Sequence, residues 1–337
     1  MVILNKIIVF SLLFVIIPFF ADGQVMFPSN IDNGISKKNI NEIRNHITEN
    51  GKARVVVHMQ TYETFVRTLG NTTAKINKTE VINKRKLIVS NSLYEIKKSL
   101  SKNITINRTF SNLPLFIIDI NSQELMLLAN SPWIKNIYLD KLIKPEWTKI
   151  RSGLDIPKIN SSEKKINSNE KDLDNIKLQN STRNIEADKV WEMGFTGKGQ
   201  AIVVIDDGID SDHDMFANKI IAEACFSETG TSTDISLCAN GSISQIGQGS
   251  ASNCRKIIDA CDHGTHVAGI ALGNDQNGAI RKGVAYEADL IPIQVFTNIN
   301  DKEECDGQDR CIRAYLSSIL GALNHVIDLS NEFNIAA

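Results

Sequence analysis

Two short motifs in this 337-residue sequence carry the residue types that acid–base chemistry uses. The first is Asp206-Asp207-Gly208, directly after the apolar run Ala201-Ile202-Val203-Val204-Ile205. Functional groups of open α/β sheets collect beyond the carboxyl ends of the strands, and a carboxylate held there needs a strong partner. The same residues also suit a turn or a helix N-cap. The second motif is Asp262-His263-Gly264-Thr265-His266-Val267-Ala268-Gly269. It places a histidine in the first turn of a helix whose small residues permit close approach to a neighbouring strand. An aspartate orienting a histidine is two thirds of the acyl-transfer triad: the carboxylate fixes the tautomer and stabilises the imidazolium. A metal site from His263 and His266 is the alternative. No Glu lies between them as on metalloprotease helices, and His266 reads as a core residue.

Such groups need a rigid scaffold, and the chain from about Asn184 has the pattern of one. Ala201–Ile205 and Ala288–Phe296 are continuous rather than alternating in apolarity, as expected of strands buried on both faces of a parallel sheet. Asp262–Leu272 and Arg313–Leu329 read as helices. Ile312, Tyr315, Leu316, Ile319, Leu323, Val326 and Ile327 give the second a stripe at helical spacing. Asn334–Ala337 reads as the start of a further buried strand. Alternating strands and helices imply α/β architecture.

Val204–Asp210 and His263–Gly269 resemble the Asp and His signatures of the subtilisin-like serine peptidases, the subtilases, in that family's order. Gly283-Val284-Ala285 ahead of Leu290–Phe296 is similar to the family's segment just beyond the His helix. The resemblance implies a serine-type endopeptidase with an acyl-enzyme mechanism, in which Asp206 orients His263 and His263 takes the serine proton. The family's Gly-Thr-Ser-Met-Ala segment and its oxyanion-hole Asn segment have no counterpart here. Gly230-Thr231-Ser232 imitates part of the former, but it lies between the Asp and His motifs and continues into Thr233-Asp234, so Ser232 is not taken as the nucleophile. The expectation is a chain truncated before the nucleophile segment, and inactive as it stands. No cofactor is required by this chemistry. Calcium is the one ion the resemblance suggests, as a structural ion in the oxygen-rich loop Gly273–Gly278. Asp214 is one position early for the expected partner carboxylate, and a plain polar loop is the alternative.

The rest of the chain fits an exported zymogen. Lys6 precedes the apolar run Ile7–Phe20, which is short for a membrane span, and Ala21-Asp22-Gly23 supplies small residues for cleavage before Gln24. Residues 1–23 thus read as a signal peptide and the product as secreted, extracellular or periplasmic. No later segment is long and apolar enough to span a bilayer. Residues 24–51 are polar and weakly patterned. Residues 52–145 read as a β-α-β-β-α-β, ferredoxin-like α+β unit with strands at Arg54–Met59, Leu113–Ile120 and Trp133–Leu142. This unit resembles the family's inhibitory propeptide, which implies that it blocks its own cleft and assists folding. Residues 146–183, rich in Lys, Asn and Ser, read as a linker, and 184–337 as the first half of a subtilisin-like parallel-sheet domain.

Lys+Arg 37 against Asp+Glu 39 gives a net charge of −2, which excludes the basic footprint of a nucleic-acid binder. The expected partners are protein or peptide substrates and the chain's own propeptide. All six cysteines fall between Cys225 and Cys311, and an oxidising compartment would let them bridge. Proximity favours Cys225–Cys238, Cys254–Cys261 and Cys305–Cys311. The alternative function, from another class, is a non-catalytic secreted inhibitor or chaperone of a separate peptidase.

Overall fold

The computed structural model describes residues 35–61, 77–100, 104–145, 182–254, 261–275 and 282–337. Residues 1–23, expected to be a signal peptide, and 146–181 of the expected linker lie outside the described residues.

The first unit is an antiparallel sheet backed by helices. Helix α1 (Lys37–Asn50) leads into β1 (Ala53–Met59), then α2 (Lys78–Ser99), β2 (Ile106–Thr109), β3 (Leu115–Ile120), α3 (Ser122–Ala129) and β4 (Ile134–Leu139). The sheet order is β2-β3-β1-β4, with every neighbouring pair antiparallel. The β-α-β-β-α-β expectation therefore describes this unit. Asn77 caps α2 through Thr79 N–H. Asn121 and Glu124 form a reciprocal capping box that starts α3.

Three readings of this unit differ from the structure. Residues 24–51 contain α1, whose Ile40, Ile43 and Ile47 enter the core of the unit; the polar residues between them hide that stripe. The fourth strand is Ile106–Thr109, a short edge strand that alternates between half-buried and exposed residues. The run Trp133–Leu142 is split into β4 and a separate two-residue strand β5 (Leu142–Ile143).

The apolar runs in this unit are continuous because its sheet is covered twice. Val55 and Val57 of β1, with Phe116 and Ile118 of β3, face the unit's own helices. Val56 and Ile117, pointing the other way by strand alternation, pack with Phe110 against Leu316 and Leu320 of the second unit.

In the second unit, the short helix α4 (Ala187–Glu192) precedes β6 (Ala201–Asp206), β7 (Ala224–Phe226), β8 (Ile235–Ser236) and β9 (Ser244–Ile246). Helix α5 (His263–Leu272), β10 (Asp289–Gln294), β11 (Thr297–Ile299), β12 (Cys311–Tyr315) and helix α6 (Leu316–Leu329) complete it. The main sheet is ordered β6-β10-β7-β9, with β10 parallel to both β6 and β7. Ile335 bridges Ala201 in parallel on the far side of β6, so the reading of 334–337 as strand-like holds, though Asn334, Ala336 and Ala337 are exposed. A second sheet, β5-β12-β11-β8, is antiparallel throughout and joins the two units.

The helix expected from Arg313 instead begins at Leu316, and Cys311–Tyr315 is a fully buried strand. Ile312 and Tyr315 satisfied a helical spacing, but pairing with β11 and β5 decides their conformation. The three disulfides are Cys225–Cys238, Cys254–Cys261 and Cys305–Cys311. No helix among the described residues is long and apolar enough to cross a membrane.

Candidate active site

Strand β6 ends with its last residue, Asp206, at the carboxyl edge of the sheet, where the residue is 8% exposed. Its Oδ1 accepts the Asp207 backbone N–H at 2.8 Å, and its Oδ2 faces His263 Nδ1 at 2.8 Å. A carboxylate oxygen accepts, so the Nδ1 that faces it is the donor of this hydrogen bond. The imidazole is about a third exposed, enough to meet a reactant.

Helix α5 brings His263 to that carboxylate. Gly264, Ala268 and Leu272, four residues apart, form its buried face. Val204 of β6 and Leu290 of β10 pack with Ala268 and Leu272. The approach is close enough to require glycine: a Cβ on Gly264 would sit 2.3 Å from Gly208 O and 3.0 Å from Asp206 Cβ. Gly208, at φ +94°, occupies the left-handed region, and a Cβ there would meet Ser252 O at 2.6 Å. Thr265 Oγ1 accepts the Asp210 N–H at 2.9 Å, which ties the two motifs together once more.

Asp207 turns inward and is fully buried. Its Oδ1 accepts Gly264 N–H at 2.7 Å and its Oδ2 accepts His263 N–H at 3.1 Å. The residue preceding the helix, Asp262, does not cap it with its side chain. Of the two roles open to the Asp-Asp pair, Asp206 thus meets the imidazole and Asp207 caps the helix, from another element. Burial pushes the Asp207 carboxyl up to about 7. The Gly264 amide opposes that rise and the Asp206 charge adds to it.

His266 is exposed on the outer side of α5, not in the core; buried positions 264, 268 and 272 place it on the opposite face. Among the described residues, no three His, Cys, Asp or Glu side chains converge as metal ligands. Of the loop expected to hold calcium, Gly273–Asp275 are described and the remainder lies outside the described residues. Ser232 sits on an exposed turn between Cys225 and Cys238, where Asp234 Oδ2 accepts the N–H groups of Gly230 and Thr231.

Sequence reasoning gave no sign of a second polar cluster, between the two units. Glu228, buried on the second unit, is 2.8 Å from Arg108 Nη1 and 3.8 Å from Arg54 Nη1. Arg54 also donates to Thr229 O at 2.6 Å and pairs with Asp119 at 3.0 Å. Burial raises the Glu228 and Asp140 carboxyls, against the pull of these arginines and of Ser317. Only long-range packing assembles this cluster.

A sheet with three parallel strands and one antiparallel edge strand, and an aspartate–histidine pair at the carboxyl end of its first strand, define the second unit. Residues 197–331 match the family model Peptidase_S8, the subtilase family. The chain is 32% identical over 132 residues to the major intracellular serine protease of Bacillus subtilis, a match covering 39% of this chain and 35% of that protein. It is 35% identical over 130 residues to an extracellular serine protease of Serratia marcescens, covering 39% and 10%. A calcium-dependent protease of Trichormus variabilis is 31% identical over 132 residues, covering 39% and 16%. The match thus spans about a third or less of these relatives. Among solved structures, the epidermin leader peptide processing serine protease of Staphylococcus aureus aligns over 84% of this chain and 49% of its own, with a TM-score of 0.45 and 14% identity.

Proposed function

We propose that the chain supplies the proton acceptor and its orienting carboxylate to a secreted serine endopeptidase made as a zymogen. The observation that carries this reading is the 2.8 Å contact between Asp206 Oδ2 and His263 Nδ1. His263 Nε2 takes the proton of an attacking serine hydroxyl, Asp206 stabilises the resulting imidazolium, and Nε2–H then protonates the leaving amine. The serine is assigned to no residue of this sequence.

The 52–145 unit acts as the propeptide in this reading. Its tail, β5, lies antiparallel to β12 with Ile143 opposite Ala314 and Leu142 opposite Tyr315, as an extended peptide adds to a sheet edge. Three disulfides and the 1–23 composition support export. Asn274 and Asp275 offer oxygen atoms that suit calcium, and no step of the chemistry passes through it. The closed core of the first unit favours a second reading, a non-catalytic secreted inhibitor or chaperone of another peptidase.

The test is a polypeptide in which this sequence is extended by the family's serine segment. It should hydrolyse casein, and Asp206→Asn or His263→Ala should each lower kcat by about 10⁴-fold. Retained activity in either variant would remove the assignment. The secreted product should begin at Gln24.

A further inference from the structure

Asp207 has no part in the proton transfer between serine and His263, yet it is the most fully buried carboxylate at the site. A helix N-cap alone could be local and cheap: Asp262 stands at the start of α5, and aspartate there is among the favoured caps. Instead, the cap comes from the residue next to the orienting carboxylate, at the cost of burying a second acidic group beside the first.

The bonds form a closed ring. The Asp206 carboxylate holds the His263 imidazole at Nδ1, 2.8 Å away, and the Asp207 carboxylate holds the His263 backbone N–H, 3.1 Å away. The Asp207 backbone N–H in turn holds the Asp206 carboxylate at 2.8 Å. The Gly264 N–H, at 2.7 Å from Asp207 Oδ1, fixes the direction of the helix. Two consecutive residues thus grip one histidine by its ring and by its backbone. A histidine held only by its ring could swing with the helix end. One held at both places has its Cα and its Nδ1 fixed against the same strand terminus, the outer support that a catalytic side chain needs.

We propose that Asp207 is a positioning residue for His263, keeping its ring seated on Asp206 in the Nδ1-protonated tautomer. This rests on the reading of His263 as the proton acceptor only for its purpose. The grip itself is read on the ring without any turnover, so a failed activity assay and a failed grip are separate results.

The experiment is nitrogen-15 and proton NMR of the full chain with labelled histidine at pH 8, for the parent, Asp207→Asn and Asp207→Ser. The parent should show His263 in the Nδ1–H form with a slowly exchanging ring proton. In Asp207→Asn, whose amide cannot accept from both backbone N–H groups, that tautomer should cease to dominate and the ring proton should exchange about tenfold faster. Asp207→Ser, whose hydroxyl oxygen accepts one N–H and sets no amide hydrogens against the other, should fall between the two. It serves alone, against the parent, if the asparagine variant does not fold. Variants that lose amide protection or thermal stability while the His263 tautomer and ring-proton exchange match the parent would overturn the proposal, leaving Asp207 a helix cap only.

Discussion

Ser317, in the first turn of α6, donates its backbone N–H to Asp140 Oδ1 at 2.8 Å and its hydroxyl to Asp140 Oδ2 at 2.7 Å, across 177 residues of sequence. The preceding Leu316 N–H goes to Lys141 O at 3.1 Å. Helix α6 has no side-chain cap of its own, so the first unit provides its N-terminal acceptors. Helices α5 and α6 are therefore both capped from elsewhere, the one by Asp207 and the other by Asp140. Removing the Asp140 acceptor leaves a buried N–H and a buried hydroxyl unsatisfied. Asp140→Ala should destabilise the two-unit structure by about 1–3 kcal/mol, read from the urea midpoint. An unchanged midpoint would show that the contact contributes nothing.

Arg108 and Glu228 join the units beneath the same interface. Their approach is close in distance, and the guanidinium also lies 5.8 Å over the Phe226 ring. Truncating Arg108 leaves the buried Glu228 carboxylate with only the more distant Arg54, 3.8 Å away. Arg108→Ala should therefore cost about 3 kcal/mol, and adding Glu228→Gln should recover most of it. A double variant no more stable than the single would contradict this account.

Asp207 sets a pH dependence of definite sign. Its folded value near 7 lies above the usual 3.8 of an aspartate. The native state therefore holds a proton that the unfolded chain has released between those two values. Its contribution makes stability fall as pH rises through about 4 to 7, by up to about 4 kcal/mol. Asparagine carries no such cost. The stability gap between the parent and Asp207→Asn should narrow from pH 4.5 to pH 8 in urea melts. A constant gap would mean that Asp207 does not titrate in this window.

The purified 337-residue chain should neither hydrolyse casein nor accept a fluorophosphonate label. A proton acceptor and its orienter form no acyl-enzyme without a seated nucleophile. Mass spectrometry that finds a labelled serine, Ser232 included, would overturn this.

Residues 182–337 expressed without the first unit should not melt cooperatively. Leu316 and Leu320 would lose their cover from Val56, Phe110 and Ile117, and Glu228 would lose both arginines. A sharp calorimetric transition from the fragment would show that the second unit folds alone.

The residues of the candidate site stood out in the sequence because they lie in local arrangements. An aspartate ending a buried apolar strand, and a histidine opening a helix of small residues, are each readable within about ten residues. The resemblance to a family then supplied their pairing, and bridges between nearby cysteines could be chosen by proximity. What depends on distant partners was not legible. His266 looked like core, but only the packing of Gly264, Ala268 and Leu272 against β6 and β10 decides which face of α5 is outward. Ile312 and Tyr315 fitted a helical stripe until pairing with β11 and β5 drew them into a strand. The stripe of α1 was masked by polar neighbours until the sheet of the first unit gave it a surface to cover. The two capping carboxylates, Asp140 and Asp207, were undecidable in sequence, because a helix's orphan N–H groups can be met by any acceptor that the fold delivers. Sequence determined which groups could react and which segments were apolar. Tertiary structure decided which carboxylate holds which hydrogen, since burial and long-range contact, not spacing, set that choice.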